Sequence, residues 1–378
     1  MNVYFDNAAS TKVRDEAVDA MMDAMSQDYG NPSSMHHIGR AALKKLEEAR
    51  ENVAYAFKTK ADSIYFTSGG TEANNWAIRG TIANLSRTQK GRHIITSETE
   101  HSAVLEPIKS FESEGWEVTY LTPDTSGRIP LNDFSNNLRD DTAFVSIMLV
   151  NNEMGAVNPV SDFAKEIKHR KLSTVLHTDA VQAFCKIPFN AKELGADLIA
   201  VSAHKLHGPK GVGALFMKDG TMPAPLIIGG KHEKGKRGGT EPLPAAVGFG
   251  IAAKLGFDEL KSVASECRSL REHAVQLIKN SLPDAVFIGD GDSPFLLSLS
   301  LPGYKSEVLM NFLDNAGICV SKGSACKKGA RSRTLEAIGL KNDVIDGALR
   351  VSFSRYSTMH EVEYFADKLK AASDTILK

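Results

Sequence analysis

The sequence predicts an α/β protein: a large domain on a mainly parallel seven-stranded sheet, followed by a smaller α+β domain at the C-terminal end. Three observations predict it. Short runs rich in Val, Ile and Phe alternate with stretches of helical patterning through the first two thirds of the chain, which is how βαβ units read. Several of these runs are apolar throughout rather than alternating, as expected of strands covered on both faces. After about Gly256 the alternation gives way to long helices and a few isolated strands. A length of 378 residues with 42% hydrophobic content is ample for two cores.

In chain order, the strands of the large domain are expected at Ser63–Thr67, His93–Ser97, Glu117–Thr122, Ala143–Val150, Thr174–Asp179, Leu198–Ala203 and Gly213–Met217. Helical stretches such as Ser161–Lys171 separate most of them. A long amphipathic helix is expected through Leu243–Leu282, then a strand at Phe295–Leu301, a helix at Glu307–Ala316, a strand at Leu349–Ser354 and a terminal helix from about Thr358. This pattern assigns residues 14–256 to the large domain and residues 1–13 with 257–378 to the small one.

Charged residues make up 24% of the chain and the formal net charge is −1, so no global field draws it to nucleic acid or membrane. The start, MNVYFDNAASTK, has no charged segment leading into an apolar run, and no apolar run is long enough to span a bilayer. The expectation is a soluble cytoplasmic protein that contacts neither membrane nor nucleic acid. The four cysteines, Cys185, Cys267, Cys319 and Cys326, form no C-x-x-C pair, which speaks against a zinc or dithiol site. Cys185 and Cys319 sit in apolar runs and are expected to be buried filler. Cys267 lies on a polar helix, is expected to be partly exposed, and receives no role.

Three motifs carry chemistry. TSGGTEANN (Thr67–Asn75) follows a strand and opens a helix, so its glycines and free helix N–H groups make an anion cup to which Thr71 adds a hydroxyl. It lacks the G-K-[ST] of a nucleotide P-loop. HTDAVQ (His177–Gln182) puts Asp179 at a strand end, where α/β folds place ligand groups, and a buried acid there wants a cationic partner. SAHKLHGPKG (Ser202–Gly211) puts Lys205 at the next strand end, 26 residues on, where burial would free its amine to attack an aldehyde. Taken singly, these motifs also read as a strand-to-helix turn, a helix-capping Asp and a loop lysine. In this order they match pyridoxal-phosphate (PLP) enzymes of fold type I. A fourth stretch, GSACKKGARSR, surrounds Cys326 with Gly, Ser, Lys327, Lys328, Arg331 and Arg333. Nearby cations favour the thiolate, so the residues alone mark a reactive thiol on an exposed loop.

With GNPSSMH (Gly30–His36), ETEHSAV (Glu98–Val104), VNNEMG (Val150–Gly155), GGKHEKGKRGGT (Gly229–Thr240) and SKGSAC (Ser321–Cys326), the chain resembles the cysteine desulfurases that feed iron–sulfur cluster assembly and tRNA thiolation. The resemblance runs from YFDNAAST to the last fifty residues. It implies a PLP enzyme of fold type I in which Lys205 bonds the cofactor, Asp179 faces the pyridine nitrogen, Gln182 the phenolic oxygen, and His101 stacks on the ring and shuttles protons. It implies further that Gly70, Thr71, Ser202 and His204 bind the phosphate, with Thr240 completing that site from a second subunit of a homodimer. Asn152, Arg350 and Asn31 would hold the substrate carboxylate, Asn152 also bordering the cofactor. Cys326 would take sulfur from L-cysteine as a persulfide, leaving alanine, and pass it to an acceptor: an iron–sulfur scaffold or a tRNA-thiolation protein. No resident metal is implied, although Cys326 could ligate a transient iron–sulfur cluster. The loop after Cys326 departs from the best-known members in being shorter, more basic and without a Pro-Ser step, which leaves the acceptor open. A selenocysteine lyase shares these motifs, an aminotransferase would not need the cysteine loop, and a non-catalytic scaffold would not need Lys205, Asp179, His101 and Cys326 together.

Overall fold

The computed structural model describes residues 1–88, 91–322 and 331–376. Its strands, in chain order, are β1 (Val3–Tyr4), β2 (Ile64–Thr67), β3 (His93–Ser97), β4 (Glu117–Leu121), β5 (Thr142–Ser146), β6 (Val175–Asp179), β7 (Leu198–Ser202), β8 (Gly213–Met217), β9 (Val286–Ile288), β10 (Leu296–Ser300), β11 (Ile318–Cys319) and β12 (Ala348–Ser352). Seven of them form one sheet in the order β2-β8-β7-β6-β5-β3-β4. Only β8 runs against its neighbours, so β2 and β7 end on the same edge. The central strands β3, β5 and β7 are buried along their whole length, which is why they lack alternation.

Two expected elements differ. The apolar run 147–150 lies beyond the regular ladder of β5: its Ile147 and Leu149 amides still bond to the carbonyls of His177 and Asp179 on β6, but Val150 pairs with Val157 across a turn. Asn151 then closes a turn by accepting from the amides of Glu153 and Met154, which no apolar count could foresee. The long helix is two helices, Leu243–Asp258 and Leu260–Ser281, meeting at Glu259. The carboxylate of Glu259 is bound there by the buried Arg14 and by Arg355, so the junction is pinned by chain from both ends of the sequence.

One apolar core lies around the large sheet, from Ala24 to Ala253. A second gathers Val3 and Phe5 with residues between Cys267 and Ala372 around the sheet β12-β10-β9. The N-terminal segment therefore belongs with the second core: β1 pairs in parallel with β11, and Phe5 packs edge-on against Phe353 and Phe365. Among the described residues no helix is long and apolar enough to cross a membrane, and no group of His, Cys, Asp and Glu is arranged to hold a metal ion.

Candidate active site

The site is assembled at the carboxyl edge of the large sheet, the position that open α/β sheets offer to ligands. β2 ends at Thr67, β6 at Asp179 and β7 at Ser202. Register ties two of these ends together: Thr67 and Ser202 both pair with Gly213, the first residue of β8. A side chain at Gly213 would stand 2.6 Å from the Val201 carbonyl and 2.8 Å from the backbone of Gly69, so only glycine lets the cup close on the sheet. Gly69 itself adopts φ +154°, ψ −178°, a region essentially confined to glycine, and a Cβ there would meet nothing within 4 Å. Open space thus lies beside the N-terminus of the helix that starts at Gly70, next to Thr71 and the buried Ser202.

Lys205 sits three residues beyond β7, in a single helical turn. Its Nζ donates to the carbonyls of Ala8 (2.6 Å) and Ala9 (2.8 Å). Burial, and then the nearby Arg350 guanidinium, lower its amine from 10.5 to about 8, against the opposing pull of Asp179 and Asp6. Ala8 O accepts a second bond, from Gln182 Nε2 at 2.8 Å. Asn7 and Ser352 hold this segment in place: Asn7 Nδ2 donates to Ser352 O, and Ser352 Oγ accepts from the Ala8 amide. Asp179 is 7% exposed, with Oδ2 accepting from Asn74 Nδ2 (2.6 Å) and Oδ1 from the Val181 amide (2.9 Å). Both donors are neutral, and among the described residues no cation pairs with this carboxylate. His204 has its backbone carbonyl bound by the amide and hydroxyl of Thr11, and burial with the cations of Lys205, Lys186 and Lys210 brings its ring down to about 4.

Arg350, on β12, is 4% exposed; Nη1 donates to Asn152 O at 3.0 Å and Nη2 to Asp6 Oδ1 at 2.9 Å. Its backbone exchanges both hydrogen bonds with Ser321. Cys326 lies outside the described residues, but both flanks of its segment are fixed. Upstream are the Ser321–Arg350 bridge and a Lys322–Glu307 ion pair. Downstream, Arg331 pairs with Asp346, Ser332 Oγ donates to the buried Glu153 at 2.5 Å, and Arg333 donates to the carbonyl of Glu100.

Not every expected residue joins the cluster. His101 is exposed and caps the helix Ser102–Glu112, its Nδ1 accepting from the Ala103 amide at 3.1 Å. Asn31 is exposed, and its carboxamide oxygen accepts from Ser33 within its own loop. Thr240 is exposed at the end of the loop 229–240. The cysteine assignments need correction. Cys319 is exposed because it lies on the short outer strand β11, and Cys267 is buried, 1% exposed, because it points into the second core from an otherwise polar helix. Burial pushes the Cys267 thiol up to about 12, and that of the half-buried Cys185 higher still, so neither is a ready nucleophile.

Several residues of the site carry no sequence signal of their own. The carbonyls of Ala8 and Ala9 approach Lys205 from nearly 200 positions away. The loop 229–240 is bound to the anion cup through Arg237, which pairs with Glu72 in the turn after Thr71. It is bound to β2 through Glu233, 4% exposed, whose carboxylate pairs with the buried Arg50 at 2.7 and 2.8 Å and accepts from the Phe66 amide.

Comparison with known proteins supplies the rest. The family model described as "Aminotransferase class-V" matches residues 3–365. A protein named "Cysteine desulfurase IscS" from Dictyoglomus turgidum is 41% identical over 372 residues, 97% of this chain and 93% of that protein. One named "Putative cysteine desulfurase IscS 1" from Bacillus subtilis is 39% identical over 96% of each chain. Among solved structures, a "NIFS-LIKE PROTEIN" superposes with a TM-score of 0.94 at 36% identity over 100% of both chains. One titled "SspA in complex with cysteine" gives 0.79 at 32% identity, covering 94% of this chain and 100% of that one.

Proposed function

The chain belongs to the aminotransferase class-V family, and from that premise we propose that it is a cysteine desulfurase, converting L-cysteine to L-alanine with the sulfur taken onto Cys326 as a persulfide. The observation that carries the reading is the tethering of the Cys326 segment at the site. Ser321, five positions before Cys326, is bridged to Arg350, and Arg333, seven positions after it, bonds beside His101. Five residues span at most about 17 Å, so chain length alone bounds how far Cys326 can lie from the Ser321–Arg350 bridge.

The family is PLP-dependent, and the residues fit that group. The open space at Gly69 suits a phosphate on a helix N-terminus. Asp179 is a buried carboxylate satisfied only by neutral donors, which suits a protonated ring nitrogen. When bound, PLP supplies an aldehyde for a lysine amine and a ring that draws electrons from the substrate Cα. Lys205 would hold it, Asp179 and Gln182 would face its nitrogen and phenolic oxygen, and His101 and Asn152 would border its ring. Gly70, Thr71, Ser202, His204 and Thr240 of a second copy would bind its phosphate.

The rest is done by the chain's own groups. Arg350 holds the substrate carboxylate with its planar fork, aided by Asn152 and Asn31. With its amine lowered to about 8, Lys205 is partly neutral near pH 7 and takes a proton from the substrate Cα. The Cys326 thiolate attacks the substrate Sγ; the S–S bond forms as Cβ–Sγ breaks, the bonding pair stays with the carbon skeleton, Cβ gains a proton, and Lys205 returns one to Cα to give alanine. The persulfide then passes to a sulfur-acceptor protein, an iron–sulfur scaffold or a tRNA-thiolation protein. In this reading residues 14–256 form the fixed cofactor domain, and residues 1–13 with 257–378 form the domain that carries Arg350 and the sulfur. A cytoplasmic homodimer fits the exposed apolar side chains Met22, Met25, Tyr29, Met35 and Ile228, which a second copy would cover.

The test is Cys326→Ser. The variant is expected to take up PLP, seen as visible absorbance, but to release no alanine from L-cysteine under turnover. Alanine release at the wild-type rate would remove Cys326 from the mechanism.

A further inference from the structure

Lys186 has no part in the chemistry above, yet it lies beside the groups that perform it. It is 8% exposed, and among the described residues no carboxylate forms an ion pair with it. Its hydrogen-bond partner is Gln182 Oε1, 3.0 Å from Nζ. The other end of the same amide, Nε2, donates to Ala8 O at 2.8 Å, and that carbonyl also accepts from Lys205 Nζ at 2.6 Å. The four groups form one continuous chain from Lys186 through Gln182 and Ala8 to Lys205.

The direction of this chain is fixed by chemistry. Ala8 O can only accept, and an ammonium can only donate, so the Gln182 amide has one orientation that satisfies both ends. Flipped, it would set its oxygen against a carbonyl and its N–H₂ against an amine. A neutral amine still carries N–H groups, so the donor survives even where burial, with the charges of Lys205 and Arg350, lowers Lys186 to about 7. A cavity of about 40 Å³ lined by both lysines has room for water to take the remaining N–H groups. Packing alone would be served as well by Met or Leu, which avoid burying an amine.

We propose that Lys186 is a positioning residue: by donating to Gln182 Oε1 it fixes the amide with its nitrogen toward Ala8 and Lys205, leaving its second N–H to reach the phenolic oxygen of the cofactor. This rests on the cofactor reading given above. The measurement is the dissociation constant for PLP, by equilibrium dialysis and absorbance, in wild type, Lys186→Met, Gln182→Leu and the double variant, with melting curves alongside. Lys186→Met is expected to weaken PLP binding about five- to tenfold, the worth of one oriented hydrogen bond. In the Gln182→Leu background the same change is expected to have no effect, because there is no amide left to orient. An unchanged dissociation constant in Lys186→Met overturns the proposal. So does an equal loss in both backgrounds, which is what a purely structural role would give. If Lys186→Met does not fold, Lys186→Leu, which likewise removes the donor, carries the same cycle, and a loss there equal with and without Gln182, or no loss at all, is again fatal. Wild-type protein that takes up no PLP overturns the cofactor reading itself and this inference with it.

Discussion

Replacing Lys205 should make the cofactor-free protein more stable, not less. The amine is held at about 8 against an ordinary 10.5, because burial and the Arg350 guanidinium disfavour its charge. At 1.36 kcal/mol per unit, that shift corresponds to about 3 kcal/mol of destabilisation carried by the native state while the amine is protonated. The sign follows from proton uptake. Between pH 8 and 10.5 the unfolded chain binds the proton and the folded one does not, so stability rises with pH across that window. The cost is present in full below pH 8 and gone above 10.5. Lys205→Met removes it while preserving the stem that packs in the site. At pH 7 the variant is therefore expected to melt about 3–4 °C above the cofactor-free wild type, a shift set by the entropy of unfolding a chain of this size. At pH 10.5 the two should coincide. Differential scanning calorimetry at both pH values tests this, since any pH dependence of the rest of the protein appears in both proteins and cancels. A variant that melts at or below wild type at pH 7 would refute the reasoning, for it would mean that the Ala8 and Ala9 carbonyls compensate the buried charge in full. The same shift has a chemical consequence: about a tenth of the Lys205 amine is neutral at pH 7, against fewer than one in a thousand for an ordinary lysine.

Three further outcomes are expected. Glu100 is 2% exposed, and burial, aggravated by Asp179, raises its carboxyl well above the usual range, so the folded state holds a proton that the unfolded state releases above its ordinary 4.5. Wild-type stability should accordingly fall as pH rises above 4.5, and Glu100→Gln, which cannot ionise, should melt higher than wild type by a margin that widens as pH rises; a constant margin would show that Glu100 is ionised in the fold. Glu233→Ala leaves Arg50 buried without its partner and should cost about 3–5 kcal/mol in urea unfolding, whereas a loss below 1 kcal/mol would mean that Glu47, which also pairs with Arg50, takes over. Asp179→Ala should bind PLP at least tenfold more weakly by equilibrium dialysis, because it removes a buried carboxylate of the site whose partners are all neutral; unchanged binding would assign the ring nitrogen to another group.

What the sequence discloses and what it conceals divide along a physical line. Lys205, Asp179, Ser202 and the Thr67–Thr71 cup were legible because each is fixed by its own strand end, and a strand end is set by local pattern: an apolar run, then a turn. The sheet was legible for the same reason, and its overreach, the extension of β5 through 147–150, came where an apolar run keeps amide bonds to the end of β6 but leaves the regular ladder for a turn. Burial of a single side chain is not local. Cys319 follows an isoleucine in an apolar run yet faces outward, because the two-residue strand β11 pairs on one side only. Cys267 sits among Ser, Glu and Arg yet faces the second core, because its helix presents that one stripe to it. The Glu233–Arg50 pair joins residues 183 positions apart and has no signature at either position.

The two buried lysines bring that argument to its end. A chain selected only for stability would not place Lys186 and Lys205 in one cavity, beside Arg350, where each lowers the other's affinity for a proton or has its own lowered. The arrangement persists because the carbonyls of Ala8 and Ala9 and the amide of Gln182 absorb their N–H groups, at the expense of bringing the first ten residues across to the carboxyl edge of the large sheet. The N-terminal segment is thereby part of the candidate site. It belongs with the second core through Val3 and Phe5, and with the site through Asp6, Ala8 and Ala9. Any displacement of the second core relative to the sheet must therefore move the carbonyls that hold Lys205 and the carboxylate that holds Arg350 together. The Lys205 amine and the Arg350 guanidinium are thus coupled through the backbone from Asp6 to Ala9.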